Sequence, residues 1–183
     1  MRITKDGIIQ ELETISTATI EAVCSRVEIL ELIQTNQLDK ENLVLISISE
    51  PVLDHYNDEA LTDDDVKGFK DSLRTKFWDV EEDIGKRYNV IPDEVAKEIQ
   101  NFILVNLQKD ENARFIVHCR AGKSRSAGVA RAIECIKFFG IGEEAKYNYK
   151  TCFNSEIDAH SRYSANLAVF DKVVKDYNQS TLK

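Results

Sequence analysis

Residues Arg114–Gly128, RFIVHCRAGKSRSAG, change character twice. Phe115, Ile116 and Val117 make a short apolar strand over Arg114 to His118. A tight polar turn follows, and from about Ser126 to Phe139 the pattern is helical, with Gly140 to close it. A strand that feeds straight into a helix places the intervening turn at the carboxyl end of a sheet. Open α/β sheets hold their ligands there.

The same alternation continues outward on both sides. Glu41 to Ser49 (ENLVLISIS) is β-branched and apolar after its first two residues and reads as a buried strand ended by Pro51. Glu21–Ser25 reads as a strand before it, and Val27–Gln34 as a helix. Asp63, Asp64 and Asp65 open a polar stretch, a surface loop or short helix. Ser72–Val80 alternates as a strand ending near Trp78 and Asp79. Pro92 suits the first position of a helix on which Val95, Ile99, Phe102, Ile103 and Leu107 recur, running to about Lys109. Two more helices are expected over Glu143–Thr151 and Asn166–Tyr177, and residues 178–183 as a mobile tail. The pattern predicts a single domain over residues 1–183, an α/β fold with a mainly parallel central sheet flanked by helices.

Composition narrows the partners. The chain has 183 residues, 43% of them hydrophobic, and 24 basic against 32 acidic residues, a formal net charge of −8. That balance speaks against a stable grip on nucleic acid, which needs clustered positive charge. Apolar runs fall short of the roughly 20 residues that span a bilayer, so no membrane insertion is expected. Lys5, Asp6, Glu11 and Glu13 break up any signal-peptide pattern. Cys24, Cys119, Cys135 and Cys152 form no CxxC pair and read as reduced thiols of a cytoplasmic protein. His55, His118 and His160 form no ligand set, so neither a metal nor another cofactor is expected. The composition assigns no oligomeric state.

Any hold on an anion must therefore be local, and the turn after His118 supplies one. The N–H groups of Arg120, Ala121, Gly122, Lys123, Ser124 and Arg125 enter a helix N-terminus, where backbone donors and the helix dipole favour an anion. Gly122 lets the turn bend. Arg125 adds a planar fork that matches two phosphate oxygens. Helix N-termini and neighbouring arginines favour the thiolate form of a cysteine, which is the nucleophilic form. Cys119 is thus the candidate nucleophile, and Ser126 is placed to donate a hydrogen bond to its sulfur. A C-x5-R spacing alone arises by chance about 0.2 times in such a composition. Requiring the His, Gly and Ser as well lowers that to about 10⁻⁵, so a buried cysteine with an incidental arginine is a poor account.

His118-Cys119-Arg120-Ala121-Gly122-Lys123-Ser124-Arg125-Ser126 resembles the HCxxGxxR[ST] signature of cysteine-dependent protein tyrosine and dual-specificity phosphatases. The resemblance is best from about Ser72 to Tyr177 and suits the compact dual-specificity-like members. Low-molecular-weight tyrosine phosphatases fit less well, because their loop lies near the N-terminus. The resemblance implies metal-free hydrolysis through a phosphocysteine intermediate, with a phosphorylated protein as partner. It also implies an upstream aspartic acid as proton donor. Asp79, after Trp78, is the first choice and Asp83 the alternative; the proline of the WPD loop is absent. Trp78 is placed to shield the site from water. His118 is expected to be buried and orienting. Tyr163-Ser164-Ala165-Asn166-Leu167 resembles the segment whose Asn supports the phosphate loop, with Ala165 in place of the usual Pro, while Asn166 reads equally well as a helix N-cap.

Arg120 and Lys123 add charge that also suits phosphoinositides or RNA 5′-phosphates. Two rivals use the same anion loop differently. One is a phosphate-binding module without catalysis, and the other is a rhodanese-type sulfurtransferase, whose loop is usually shorter.

Overall fold

The computed structural model describes residues 2–3, 9–10, 17, 19–51, 60–80, 90–153, 155–159 and 161–177. Asp83 and the tail 178–183 lie outside the described residues. Two short antiparallel strands, β1 (Arg2–Ile3) and β2 (Ile9–Gln10), precede the main fold. The order then runs β3 (Ile20–Ser25), α1 (Arg26–Gln34), a 3-10 turn, β4 (Leu43–Ser49), α2 (Asp63–Val66) and β5 (Asp71–Lys76). After them come α3 (Asp93–Lys109), β6 (Arg114–Cys119), α4 (Arg125–Phe139), α5 (Glu143–Cys152), α6 (Glu156–Ala159) and α7 (Leu167–Val173).

The sheet has the order β3-β6-β4-β5 and every neighbouring pair is parallel, giving the expected α/β architecture. All seven residues of β4 are buried, because this strand is covered on both faces. Burying each of its Leu, Val and Ile side chains contributes roughly 1.5–3 kcal/mol. On one face Val23, Val44, Ile46, Val117 and Cys119 pack in the larger core, with α3, α4 and α7. On the other face Ala22, Cys24, Leu45 and Ile116 pack against Ile29 of α1. Among the described residues no helix is long and apolar enough to cross a membrane.

Several boundaries differ from the sequence reading, each for a local reason. The strand expected over Ser72–Val80 ends at Lys76, since its partner β4 ends opposite at Ser49 and Pro51 has no N–H to continue the ladder. Trp78 and Asp79 therefore lie in a connecting segment. Pro92 is the N-cap of α3, with extended ψ of 148°, and the helix begins one residue later at Asp93. Helix α1 begins at Arg26 because Ser25 and Glu28 form a reciprocal capping box. Helix α7 stops at Val173 rather than running to Tyr177. The carbonyls of Val173 and Lys175 instead accept from Gln100 Nε2, at 2.6 and 2.8 Å, and that of Val174 accepts from Gly142 N–H.

Candidate active site

Cys119 is the last residue of β6 and Arg125 the first of α4, so residues 120–124 form the whole turn between them. The turn is gripped from two sides through its carbonyls. Arg120 O accepts from Arg26 N–H at 3.3 Å, Lys123 O from Ser164 N–H at 3.0 Å, and Ser124 O from Asn166 N–H at 3.2 Å. Gly122 has a left-handed φ of 66°, and a Cβ there would lie 2.3 Å from the Cys24 carbonyl carbon and the Ser25 nitrogen. Backbone rests on backbone at this point, so only glycine fits.

Cys119 and Ser126 are buried, with Sγ 3.2 Å from Oγ. Arg125 is 2% exposed and stretches under the sheet ends. Its Nη1 donates to Phe77 O at 3.0 Å, its Nη2 to Glu50 Oε1 at 3.2 Å, and its Nε lies 3.9 Å from Asp79 Oδ2. Asp79 Oδ1 accepts from Ser124 Oγ at 2.6 Å and from Asn166 Nδ2 at 3.1 Å. Of the two roles the sequence left open, Asn166 takes that of helix cap, its Oδ1 accepting from Val169 N–H at 3.1 Å. Its side-chain amide reaches Asp79 and Val80 rather than residues 120–124, which it meets through its main-chain N–H to Ser124 O.

The structure thus forms two hydrogen-bonded groups at the turn, Cys119 with Ser126, and Asp79 with Ser124 and Asn166, and Arg125 Nε lies 3.9 Å from Asp79 Oδ2. Arg120, Ala121 and Lys123 are exposed on the outer side of the turn. His118 is buried within β6, in register with Cys24 and Ser47. Trp78 is half-buried beside Asp79. Cys24 packs on the face of the sheet opposite Cys119, so the two cannot pair as a disulfide without a strand rotating. Burial pushes the Cys24 thiol well up, and pushes Cys135 up to about 12, against the charges of Lys146 and Arg131. Both read as inert core thiols. Among the described residues no cluster of three or more His, Cys, Asp or Glu is gathered for a metal ion.

Sequence reasoning missed two carboxylates. Glu50 pairs with Arg125 and lies 3.8 Å from Arg120. Its signal was its place, directly after the interior strand β4, at the carboxyl end of the parallel sheet. Glu28 is buried, caps Ser25, and forms an ion pair with Arg162 at 2.5 Å. Burial alone would raise Glu28, but hydrogen bonds from Arg162 and Ser25 and the guanidinium charge outweigh it and hold the carboxyl low. The pair fastens α1 to the segment that carries Tyr163, whose hydroxyl donates to Val23 O, and Ser164. Its signal was the S-x-x-E capping pattern at Ser25–Glu28.

Comparisons with known proteins find likeness in structure. No protein-family model matches the sequence, and no curated protein does. A crystal structure of PTPMT1 is similar at a TM-score of 0.46 and 16% identity, over 90% of this chain and 92% of that one. A structure of PTPMT1 in complex with PI(5)P is similar at 0.45 and 17%, over 90% and 92%. The human tyrosine phosphatase-like serine/threonine/tyrosine-interacting protein is similar at 0.44 and 16%, over 90% and 91%. All three likenesses are in the course of the chain, at low sequence identity.

Proposed function

We propose that the protein hydrolyses phosphate monoesters through a phosphocysteine intermediate, with phosphotyrosine in proteins as the preferred substrate and phosphoserine and phosphothreonine as further ones. The observation that carries this reading is Arg125 Nε, a buried donor with no acceptor among the described residues. The other two nitrogens of that guanidinium are anchored, and the next residue hydrogen-bonds the sulfur of Cys119. A buried donor left without a partner costs about 1–3 kcal/mol. A phosphate oxygen above the sulfur relieves that cost, and the outward-turned carbonyls of residues 120, 123 and 124 leave the turn's N–H groups for the other oxygens.

In the first step Cys119 thiolate attacks phosphorus, the S–P bond forms and the P–O bond to the leaving group breaks. Asp79 gives its proton to the departing oxygen. In the second step water attacks phosphorus and passes its proton to Asp79 carboxylate. The S–P bond breaks, and Ser126 hydroxyl donates to the departing sulfur. A phenolate leaves more easily than an alkoxide, so phosphotyrosine asks least of the acid. The exposed cations Arg120 and Lys123 favour a second reading, a substrate bearing further phosphates such as a phosphoinositide or an RNA 5′-phosphate.

The test is hydrolysis of 4-nitrophenyl phosphate by wild type and Cys119→Ser. The expected result is turnover by the wild type, loss of it in the variant, and tungstate binding in both. Undiminished turnover in Cys119→Ser refutes the mechanism. Tungstate binding by a wild type that hydrolyses nothing would instead leave a binding module, and sulfur transfer from thiosulfate a rhodanese.

A further inference from the structure

Asp79 follows the end of β5 by three residues and belongs to no helix or strand. A short carboxylate on such a segment, about one third exposed, has no reason of its own to keep one orientation. Here it is held, and only one of its two oxygens is used for the purpose. Oδ1 accepts from Ser124 Oγ at 2.6 Å and from Asn166 Nδ2 at 3.1 Å. Oδ2 faces Arg125 Nε at 3.9 Å.

The direction of the Asn166 amide is not free. Its oxygen must face Val169 N–H, because a backbone N–H only donates, so its nitrogen faces the acid segment. The two amide hydrogens go to Asp79 Oδ1 and to Val80 O, at 3.1 and 3.3 Å. Asn166 is itself 1% exposed and backed by α4, where a Cβ on Gly128 would lie 2.7 Å from Asn166 O. Its N–H also donates to Ser124 O, so the same two residues that hold Asp79 are bonded to each other through the main chain.

We infer that Ser124 and Asn166 are positioning residues for the proton donor. They fill Asp79 Oδ1 from the phosphate turn and from the cap of α7, so that the transferable proton sits on Oδ2, in front of Arg125. The inference rests on the reading of Asp79 as the acid of a phosphate-ester hydrolase. It assigns a side-chain role to Ser124, which that reading uses only through its N–H group. No closing movement of a separate loop is needed to bring the acid over the site, since the turn that binds phosphate also holds the acid.

The experiment compares kcat/KM for phenyl phosphate, which needs its leaving oxygen protonated, with that for 2,4-dinitrophenyl phosphate, which does not. The variants are Ser124→Ala, Ser124→Thr, Asn166→Ala and Asp79→Ala, with the double variant Ser124→Ala/Asp79→Ala. Positioned general acids contribute about 10²–10⁴-fold. Partial loss of position should therefore lower the phenyl-to-dinitrophenyl ratio of kcat/KM by about tenfold or more in Ser124→Ala and Asn166→Ala. Ser124→Thr keeps a hydroxyl and should restore the ratio. In the Asp79→Ala background the Ser124→Ala change should shift the ratio no further. Asn166→Ala also removes a helix cap, so Ser124→Ala carries the decision if that variant folds poorly.

Equal losses on both esters in Ser124→Ala, or a full further shift in the double variant, overturn the positioning role while leaving Asp79 as the acid. An Asp79→Ala variant with no selective loss overturns the acid assignment and the positioning together. A wild type that hydrolyses neither ester overturns the hydrolase reading itself.

Discussion

Gly122→Ala is the perturbation whose size is most directly worked from coordinates. The added methyl would lie 2.3 Å from two backbone atoms of the β3–α1 junction and 2.7 Å from Cys24 O. Ordinary carbon contacts begin near 3.4 Å, so one side must retreat by about 1 Å, and neither side is a flexible side chain. Overpacking of this kind costs about 1–3 kcal/mol. A left-handed φ in a residue with a Cβ adds about 1–2 kcal/mol. The sum, about 2–5 kcal/mol, is below or near the stability of an ordinary domain, so the variant should fold but unfold at lower denaturant.

Activity should suffer more than stability. A misplacement of 1 Å at a reacting centre costs about 10²-fold, and the turn that would shift carries Cys119 at one end and Arg125 at the other. Gly140→Ala is the matched control. It also sits at positive φ, 85°, but a Cβ there meets nothing within 4 Å. Urea midpoints and 4-nitrophenyl phosphate kcat/KM of the two variants separate the backbone cost from the collision. If Gly122→Ala matches Gly140→Ala in stability and keeps wild-type turnover, the phosphate turn is not seated against Cys24 and Ser25, and the geometry above is wrong.

The two carboxylates absent from the sequence reading give two further predictions. Glu50→Gln keeps the shape but removes the charge beside buried Arg125, and should destabilise by about 1–3 kcal/mol, read as a lowered thermal midpoint. An unchanged midpoint would mean that Phe77 O alone suffices to hold the guanidinium. Glu28 titrates below its ordinary range of about 4.3 in the folded chain. The unfolded chain therefore takes up the proton first, so the ion pair stabilises above that range and its contribution is lost as pH falls through it. Glu28→Gln should be less stable than wild type near neutrality, with the gap closing below about pH 4. Urea midpoints at several pH values read this, and a gap that stays constant on acidification counts against the assignment.

How much of this was legible without coordinates depended on whether a signal was local. The strand Arg114–His118, the turn and α4 were readable because chain order alone carries them, and β4 because its apolar run has only one reading. Helix α3 was readable from its period, apart from the Pro92 cap. What failed was set by partners distant in sequence. β5 stops at Lys76 because β4 stops opposite it, and α7 stops at Val173 because the carbonyls beyond it are engaged by Gln100 and Gly142. The same distinction runs through the site. Cys119, Arg125 and Ser126 lie on one turn and show themselves in one glance at the sequence. Glu50 is 75 residues from Arg125, and Glu28 is 134 from Arg162. Nothing in either stretch names its partner.

The charges around the turn bear on how an acidic protein would offer the proposed anion site. Arg125 is faced by Glu50 and Asp79, Arg120 by Glu50, and Arg162 by Glu28. Each of these guanidiniums is thus partly neutralised before any ligand arrives, so net positive charge is not the source of attraction. What is left over is direction. Arg125 has two nitrogens committed to fixed acceptors, and that commitment aims the third, Nε, at the space beside Asp79 Oδ2. Carboxylates that would weaken a loose cationic patch here stiffen a single donor and hold it in place. Preorganised donors of this kind act on charge as it develops, with no reorganisation at the moment of reaction. On the proposed hydrolase reading, the acidic residues would strengthen the hold on a phosphate's transition state by fixing geometry, although by charge alone they oppose it.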